Sequence, residues 1–351
     1  MTSDFIPAVL RIKPDALDRL GIYLHRENWQ RVLLLWGDGL ANLFGERTYA
    51  ALQGAKIEYS ASETPLPLEA GQLAEWAFRL PQKIDALVAI GGGQVLDQGK
   101  FIAHLTKLPL AAVPTVISND GVCSPFSSLQ ADGIKRTVHS ALPRLVVIDT
   151  LVTRNAPERF FFSGMGDLAS KWTALHDWKA AFRKNGEAVQ DFAAQLSINA
   201  ATAALFSPCV DRLDLETQRT VATSAVLCGL AMALAGSSRP ASGAEHLISH
   251  AYDSLGEAHS LHGLQVGVAS LLMAKVQEQP LERVRGALQH SGFLDFVREN
   301  ARLDRRRFLA AIGQAPQMKP GFYTTLSEPS SQEKALRLAN DDPEIACLLT
   351  E

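Results

Sequence analysis

The chain is poor in cysteine and nearly balanced in charge, and each of these features excludes a class of protein. Its four cysteines include no Cys-x-x-Cys pair, which argues against a disulfide-stapled scaffold and indicates a reduced, cytoplasmic protein. A formal net charge of −3 gives no electrostatic basis for binding nucleic acid or an anionic membrane. We also expect no signal peptide and no membrane insertion, because we find no basic N-terminal segment and no apolar run long enough to span a bilayer.

What the chain does have is apolar sequence in an alternating strand and helix pattern. At 47% hydrophobic and 20% charged residues it is an ordinary globular protein, and 351 residues exceed one typical core. Apolar runs predict strands at 31–36, 56–60, 84–90, 110–113 and 145–149, with helices at 43–52 and 73–78. The Asp132-Gly133 turn signal predicts a hairpin between the last two strands.

The pattern changes at about residue 155. No convincing strand follows, and alanine-rich stretches after Pro157 indicate helices. We therefore predict an α/β Rossmann-like dinucleotide-binding domain over residues 1–155. An all-helical domain that binds metal and substrate would occupy residues 156–351, including the small-residue helix at 229–236.

A glycine run marks a candidate phosphate-binding turn. The strand ending at Ile90 is followed by Gly91-Gly92-Gly93 and then by a helical pattern. Such a turn lets backbone N–H groups approach a pyrophosphate at the positive end of a helix. It is not the G-x-G-x-x-G fingerprint, and a plain tight turn is the alternative.

Three histidines and an aspartate form a candidate metal site. His246 and His250 are four residues apart, so on a helix they share one face, and His262 follows closely. Asp167 could add a carboxylate. Two imidazoles and a carboxylate suit zinc, iron or nickel with one position open for substrate, although a histidine pair is also common on plain helix surfaces.

Several motifs together carry a family resemblance. Residues 91–97 resemble GGGSxxD, with Gln94 in place of the serine, and residues 113–125 are similar to VPTxxSHDGxxSP. Residues 164–170 resemble GxGDxxS, residues 238–246 resemble SRPxSGSEH with Ala244 differing, and residues 262–267 resemble HGEQVG. In this order the motifs are similar to those of sn-glycerol-1-phosphate dehydrogenases, within the dehydroquinate-synthase-like and iron-containing alcohol dehydrogenase superfamily.

The resemblance implies a role for each matching residue. The metal ligands would be Asp167, His246 and His262, which leaves His250 beside the substrate as a catalytic residue rather than on the metal. Asp120 would be catalytic and contact the substrate, and Asp167 would also contact it. The nicotinamide cofactor would be lined by Gly91, Gly92, Gly93, Gln94, Val95, Asp97, Thr115, Val116, Ser118 and Ser124.

Asp38 is a further cofactor candidate, argued from its position. It follows a predicted strand and a glycine, where an acidic residue often bonds a ribose hydroxyl and repels a 2′-phosphate. This favours NAD over NADP, with a simple turn aspartate as the alternative. The remaining histidines, His259 among them, are predicted to be structural or exposed.

The activity implied is a reversible, metal-dependent reduction of dihydroxyacetone phosphate to sn-glycerol 1-phosphate by NADH or NADPH, in phospholipid metabolism. The substrate is thus a small phosphorylated three-carbon compound, and the family implies a homodimer. Two departures put the substrate in question: Asn119 replaces a family histidine and Leu264 replaces a family glutamate. The alternatives are a related glycerol or alcohol dehydrogenase, a dehydroquinate-synthase-like cyclase, and a non-catalytic nucleotide-binding paralogue.

Overall fold

The protein is seen in a computed structural model that describes residues 6–62, 69–81, 83–131, 134–208, 210–256 and 260–350. The contacts divide the chain into two compact units. The first comprises Met1–Ile117, Gly121–Ala156 and Arg212–Ala233, and the second comprises Ser118–Asp120, Pro157–Asp211 and Leu234–Glu351. The Asp132-Gly133 turn, Cys209 and His259 lie outside the described residues.

The first unit is built on a parallel sheet. The strands of this unit are β1 Val9–Lys13, β2 Arg31–Trp36, β3 Glu58–Ala61, β4 Ala86–Gly91, β5 Leu110–Pro114, β6 Phe126–Ala131, β7 Ile134–His139 and β8 Leu145–Asp149. β6 and β7 form a separate two-stranded sheet. Six strands pair in the order β1-β8-β5-β4-β2-β3, and every neighbouring pair is parallel. β4, β5 and β8 are buried along their whole length, as expected of continuous apolar runs in a parallel sheet.

The helices of the first unit connect these strands. They are α1 Leu20–Arg26, α2 Leu40–Gly54, α3 Ala70–Phe78, α4 Gly93–Thr106 and α5 Thr150–Arg154, with most of α9 Leu215–Ala235. α4 packs against β4 and β5. β6 and β7 pair antiparallel, so the predicted hairpin is confirmed. The sequence missed β1, whose residues are all half-buried at the edge of the sheet.

The second unit is helical. Its helices are α6 Glu158–Ala169, α7 Lys171–Asn185, α8 Asp191–Leu205, α10 Ala244–Ser254, α11 His262–Val276, α12 Leu281–His290, α13 Phe293–Asn300, α14 Arg305–Gln314, α15 Pro329–Asp341 and α16 Pro343–Ala346. Pro157 directly precedes α6, as predicted. Within the described ranges no strand follows β8, so the predicted fold class is confirmed.

Among the described residues, the most extensive helix–helix contact in this unit is between α6 and α11. At Gly263 an added Cβ would fall on the carbonyl oxygen of Ser163, so only glycine permits this approach. The contact brings the first turn of α11 against α6. It thereby sets the distance between Asp167 on α6 and His262 on α11.

Helix α9 differs from the expectation in two ways. Its contacts group residues 212–233 with the first unit, whereas the sequence pattern had placed this stretch in the helical domain. The expectation of no apolar run long enough for a membrane span also needs correction, because α9 has that length and composition. However, 61% of the apolar stretch of α9 is buried inside the protein, as in the core helix of a globular protein. Membrane insertion is therefore not indicated.

Candidate metal centre and cofactor-binding turn

Three helices of the second unit bring one carboxylate and two imidazoles together. Asp167 lies on α6, His246 on α10, and His262 is the first residue of α11. One ligand atom of each lies within 4.8 Å of the others. Asp167 and His246 are buried and His262 is half-buried, so the cluster is accessible on the His262 side. This donor set suits a divalent transition metal with an open position.

The two oxygens of Asp167 have different partners, which tests whether a metal fits. Oδ2 accepts hydrogen bonds from the Asp120 N–H at 3.0 Å and from Lys171 Nζ at 3.3 Å. Oδ1 is fully buried and accepts no hydrogen bond from the described residues, while lying 3.4 Å from His246 Nε2. A buried carboxylate oxygen without a donor is costly unless a cation binds it. The residues therefore fit a metal ion.

The imidazole of His246 is oriented by a buried carboxylate. Its Nδ1 lies 2.9 Å from Glu245 Oε1, and Glu245 is 0% exposed. The same oxygen accepts the Gly243 N–H at 2.6 Å, which fixes the carboxylate at the start of α10. Because Nδ1 donates to Glu245, Nε2 is the nitrogen free for a metal.

The imidazole of His262 is oriented by hydrogen bonds through two uncharged side chains, those of Ser249 and Gln265. Ser249 Oγ lies 2.8 Å from His262 Nδ1 and 2.6 Å from Gln265 Oε1. The Gln265 amide nitrogen is committed to Asp253 Oδ1 and to the Ser260 carbonyl, so Oε1 must be the acceptor facing Ser249. The Ser249 hydroxyl therefore donates its hydrogen to Gln265 Oε1, and its oxygen accepts a hydrogen bond from His262 Nδ1–H. His262 Nδ1 is thus committed to Ser249, and Nε2 is the nitrogen that would coordinate a metal.

Charges in the cluster shift the pKa values of its members in opposite directions. Burial opposes a proton on His246, but its contacts with Asp167 and Glu245 outweigh this and raise the pKa of His246 to about 9. Burial alone would raise the pKa of Asp167, but Lys171, His246 and His262 hold it well below the ordinary aspartate range. Asp167 is therefore a carboxylate throughout the physiological range, as a metal ligand must be.

The two residues assigned to the substrate lie beside this cluster. The ring of His250 is 6.0 Å from that of His262, centroid to centroid, and is half-buried. Asp120 is 8% exposed. Burial, followed by the charge of Asp167, raises the pKa of Asp120, against the pull of Lys171.

Lys171 is a site residue that the sequence analysis missed. It is fully buried, and its Nζ lies 2.7 Å from Asp120 Oδ2. Its spacing of four residues from Asp167 was the available signal, because acid and lysine four apart can meet across one helical turn. The signal is weak, since such pairs are common on helix surfaces.

One of the two departures from the family motifs has a packing explanation. Leu264 is 2% exposed on α11, so an apolar side chain fills a buried position where the family carries a glutamate. Asn119 is half-buried next to Asp120 and is engaged in contacts. Neither substitution removes a member of the Asp167, His246 and His262 cluster.

The predicted cofactor residues of the first unit centre on the turn between β4 and α4. Gly91 has φ +154°, and an added Cβ would meet Val95 Cγ1 at 2.5 Å, so the turn requires glycine there. Gly92 is the N-cap of α4 and no side chain caps that helix. The N–H groups of the first turn, including those of Gly93 and Gln94, remain for a ligand or water. The Gln94 side chain is exposed.

The other predicted cofactor residues lie in more varied settings. Asp97 is held by Lys100 Nζ at 2.8 Å and by the Ser128 N–H at 3.0 Å, so its carboxylate fixes the start of the hairpin. Ser124 Oγ donates to the Phe126 carbonyl at 3.0 Å. Four more predicted cofactor residues differ in exposure. Asp38 after β2 is exposed, Thr115 after β5 is buried, and Val116 and Ser118 are half-buried.

Comparison with known proteins relates the chain to metal-dependent dehydrogenases. Residues 11–157 match the family model described as iron-containing alcohol dehydrogenase. The glycerol-1-phosphate dehydrogenase [NAD(P)+] of Thermococcus kodakarensis is 33% identical over 88% of this chain and 88% of its own length. The enzyme of that name from Cenarchaeum symbiosum is 36% identical over 72% of this chain and 71% of its own.

Solved structures show the same fold at lower identity. A probable glycerol dehydrogenase from Sinorhizobium meliloti 1021 has a TM-score of 0.74 at 19% identity, covering 95% of this chain and 96% of its own. Sulfoacetaldehyde reductase from Bifidobacterium kashiwanohense, in complex with NAD+, has a TM-score of 0.73 at 15% identity, covering 97% and 100%. At these identities the likeness establishes the fold alone.

Proposed function

Because the chain belongs to the glycerol-1-phosphate dehydrogenase family, a family of metal-dependent NAD(P) oxidoreductases, we propose that it interconverts dihydroxyacetone phosphate and sn-glycerol 1-phosphate. In the reducing direction the ketone takes a hydride from NADH or NADPH and a proton from the protein or solvent. The observation that carries the proposal is the cluster of Asp167, His246 and His262, in which the buried Asp167 Oδ1 accepts no hydrogen bond from the described residues.

The residues that would hold the metal are Asp167, through Oδ1, and His246 and His262, each through Nε2. A bound divalent ion supplies Lewis acidity, which polarises a carbonyl and stabilises negative charge on its oxygen. Zinc, nickel and iron all accept this ligand set. Glu245 and Ser249 keep the two rings in the required orientation.

The chain's own side chains would supply substrate contacts and the proton. Asp120 is positioned to accept a hydrogen bond from a substrate hydroxyl, because its backbone is tied to Asp167. His250 lies beside His262 and is half-buried, so it can exchange protons with water and pass one towards the growing alkoxide. The backbone N–H groups of the first turn of α4, including those of Gly93 and Gln94, would bind the cofactor pyrophosphate.

Further properties belong to the same proposal. We place the protein in the cytoplasm, since the described cysteines Cys123, Cys228 and Cys347 are thiols and not disulfides. We propose NAD as the preferred cofactor, on the exposed carboxylate of Asp38 after β2. A homodimer is proposed from the family.

A second candidate is a related glycerol or alcohol dehydrogenase. The buried Leu264 and the neutral Asn119 are the observations that favour it, because both remove an ionisable group carried by the family motifs. Such an enzyme would use the same metal and cofactor residues but accept a substrate without phosphate.

NADH oxidation, followed by absorbance, tests both candidates. Metal-stripped protein is restored separately with zinc, nickel or iron and supplied with dihydroxyacetone phosphate or with unphosphorylated dihydroxyacetone. Metal-dependent turnover that strongly favours the phosphorylated substrate is the expected result. Preference for dihydroxyacetone would favour the second candidate, and no turnover of either by protein that binds metal and NADH would contradict both.

A further inference from the structure

Lys171 is a buried cation in contact with the carboxylates of the candidate metal centre. It is the first residue of α7, four residues after Asp167, and its side chain is 0% exposed. Its Nζ donates to Asp120 Oδ2 at 2.7 Å, to Asp167 Oδ2 at 3.3 Å and to Ser170 Oγ at 3.2 Å. Burying an ammonium group is costly without such partners, so this position is specified by the two carboxylates.

These contacts give the two carboxylate oxygens of Asp167 different surroundings. Oδ2 receives two donors, the ammonium of Lys171 and the backbone N–H of Asp120. Oδ1 receives none from the described residues and points to the side of His246. The carboxylate is thus held in one rotation, with a single oxygen left for a cation.

The carboxylate of Asp120 is restrained by the same ammonium group. Asp120 Oδ2 is paired with Lys171, and its backbone is bonded to Asp167. Without the lysine, two buried carboxylates would adjoin each other with no cation between them. Asp167 would then be free to present both oxygens, and Asp120 would be free to turn towards the same cation.

We propose that Lys171 is a positioning residue that keeps Asp167 a single-oxygen metal ligand and keeps Asp120 off the metal. The inference rests on the proposed function only in requiring a divalent ion at Asp167, His246 and His262. Lys171 would therefore govern the number of oxygen ligands around the ion, and with it the position left open for substrate.

Co2+ alone, added to metal-stripped protein, is the probe. Its d–d absorption weakens as the number of ligand atoms rises, so it reports coordination without substrate or turnover. In Lys171→Met we expect Co2+ affinity to rise by about tenfold, because the variant lacks the ammonium group beside Asp167 and lets a second carboxylate reach the ion. We also expect weaker d–d absorption than in the wild type, because additional carboxylate oxygens reach the ion.

Lys100→Met is the matched control. Lys100 is also 0% exposed and paired with an aspartate, Asp97, but it lies in the first unit. This variant should keep the wild-type Co2+ affinity and spectrum. If circular dichroism shows Lys171→Met to be unfolded, the double variant Lys171→Met with Asp120→Asn removes both charges of the pair and is read for its d–d absorption. Weaker absorption than in the wild type would support the proposal, because Asp167 could then bind the ion through both oxygens. Wild-type absorption would contradict it.

Wild-type affinity and absorption in folded Lys171→Met would overturn the inference. So would weaker binding with an unchanged spectrum, because a general loss of stability or charge would explain that result. Failure of the proposed function has a different signature, namely Co2+ binding as described but no oxidation of NADH by the metal-restored wild-type protein with dihydroxyacetone phosphate.

Discussion

The glycine turn of the first unit and the three-helix cluster of the second offer their ligands different kinds of atoms. The turn at Gly91–Gly93 presents backbone N–H groups at an uncapped helix start, and the nearby Gln94 side chain is exposed. The cluster presents one carboxylate oxygen and two ring nitrogens, each held by its own buried partner.

This difference determines which substitutions each site tolerates. A site made of backbone depends on φ, ψ and space, so side chains can vary wherever the path of the chain is kept. This explains how Gln94 can replace the serine of the family motif. A site made of side chains depends on the identity of each residue and of the residue that orients it.

The most severe test of the comparison is Asp167→Asn. The amide keeps the shape of the side chain but loses its negative charge, which the metal needs from Asp167, so we expect metal content to fall to background and kcat/KM to drop by more than about 100-fold. Metal analysis after dialysis and NADH oxidation measure the two effects. Asp38→Asn, the same change on an exposed residue of the first unit, should retain metal. An Asp167→Asn variant with one tightly bound metal ion and full turnover would eliminate this site.

The partners of the two histidines provide the next test. Glu245→Gln removes a buried charge behind His246, whereas Ser249→Ala removes a neutral acceptor behind His262. We expect metal affinity to fall by about 100-fold in the first and by about tenfold in the second. Competition with a chelator measures both. Equal losses, or a larger loss in Ser249→Ala, would show that the charge of Glu245 is unimportant.

Much of the first unit could be predicted from the sequence, because buried parallel strands are continuous apolar runs. The strand predicted at 31–36 matches β2, and those ending at 90 and 113 end within one residue of the observed strands. β1 was not predicted because it contains only three apolar residues, interrupted by Arg11, and lies at a sheet edge where burial is incomplete. The grouping of α9 with this unit was not predictable either, since an apolar helix can pack on any apolar surface.

The cluster in the second unit could be predicted only in part. The spacing of His246 and His250 pointed to that pair, while the resemblance pointed to His246 and His262, and the structure brings the latter pair to Asp167. Local spacing fails here because the helix packing through Gly263, and not the period of α10, sets which rings meet. Lys171 was not predicted as a site residue. Its charge is important because the side chain is buried, and a four-residue spacing in the sequence does not reveal burial.

Gly91→Ala tests the backbone side of the comparison. The added Cβ would meet Val95 Cγ1 at 2.5 Å, at a φ that residues with side chains rarely adopt. We expect a loss of on the order of 1–3 kcal/mol in the free energy of unfolding, together with weaker NADH binding. Chemical denaturation and a fluorescence titration with NADH measure the two effects.

Gln94→Ser is the matched control for this turn. It restores the residue of the family motif at an exposed position, and it should leave NADH affinity and stability within experimental error of the wild type. A strong effect of Gln94→Ser with none from Gly91→Ala would mean that side chains, and not the backbone, make this site.

The smallest expected effect concerns Asp38, a cofactor candidate of the first unit whose side-chain charge is exposed. Removing the carboxylate in Asp38→Ala should relieve repulsion of a 2′-phosphate worth roughly 1 kcal/mol in water, or about fivefold in the NADPH to NADH ratio of kcat/KM. Glu46→Ala removes an exposed carboxylate from α2 and controls for the general loss of negative charge. An unchanged ratio in Asp38→Ala would assign Asp38 to the turn alone. It would also leave cofactor choice to the backbone features of this unit, and so extend the contrast with the metal centre.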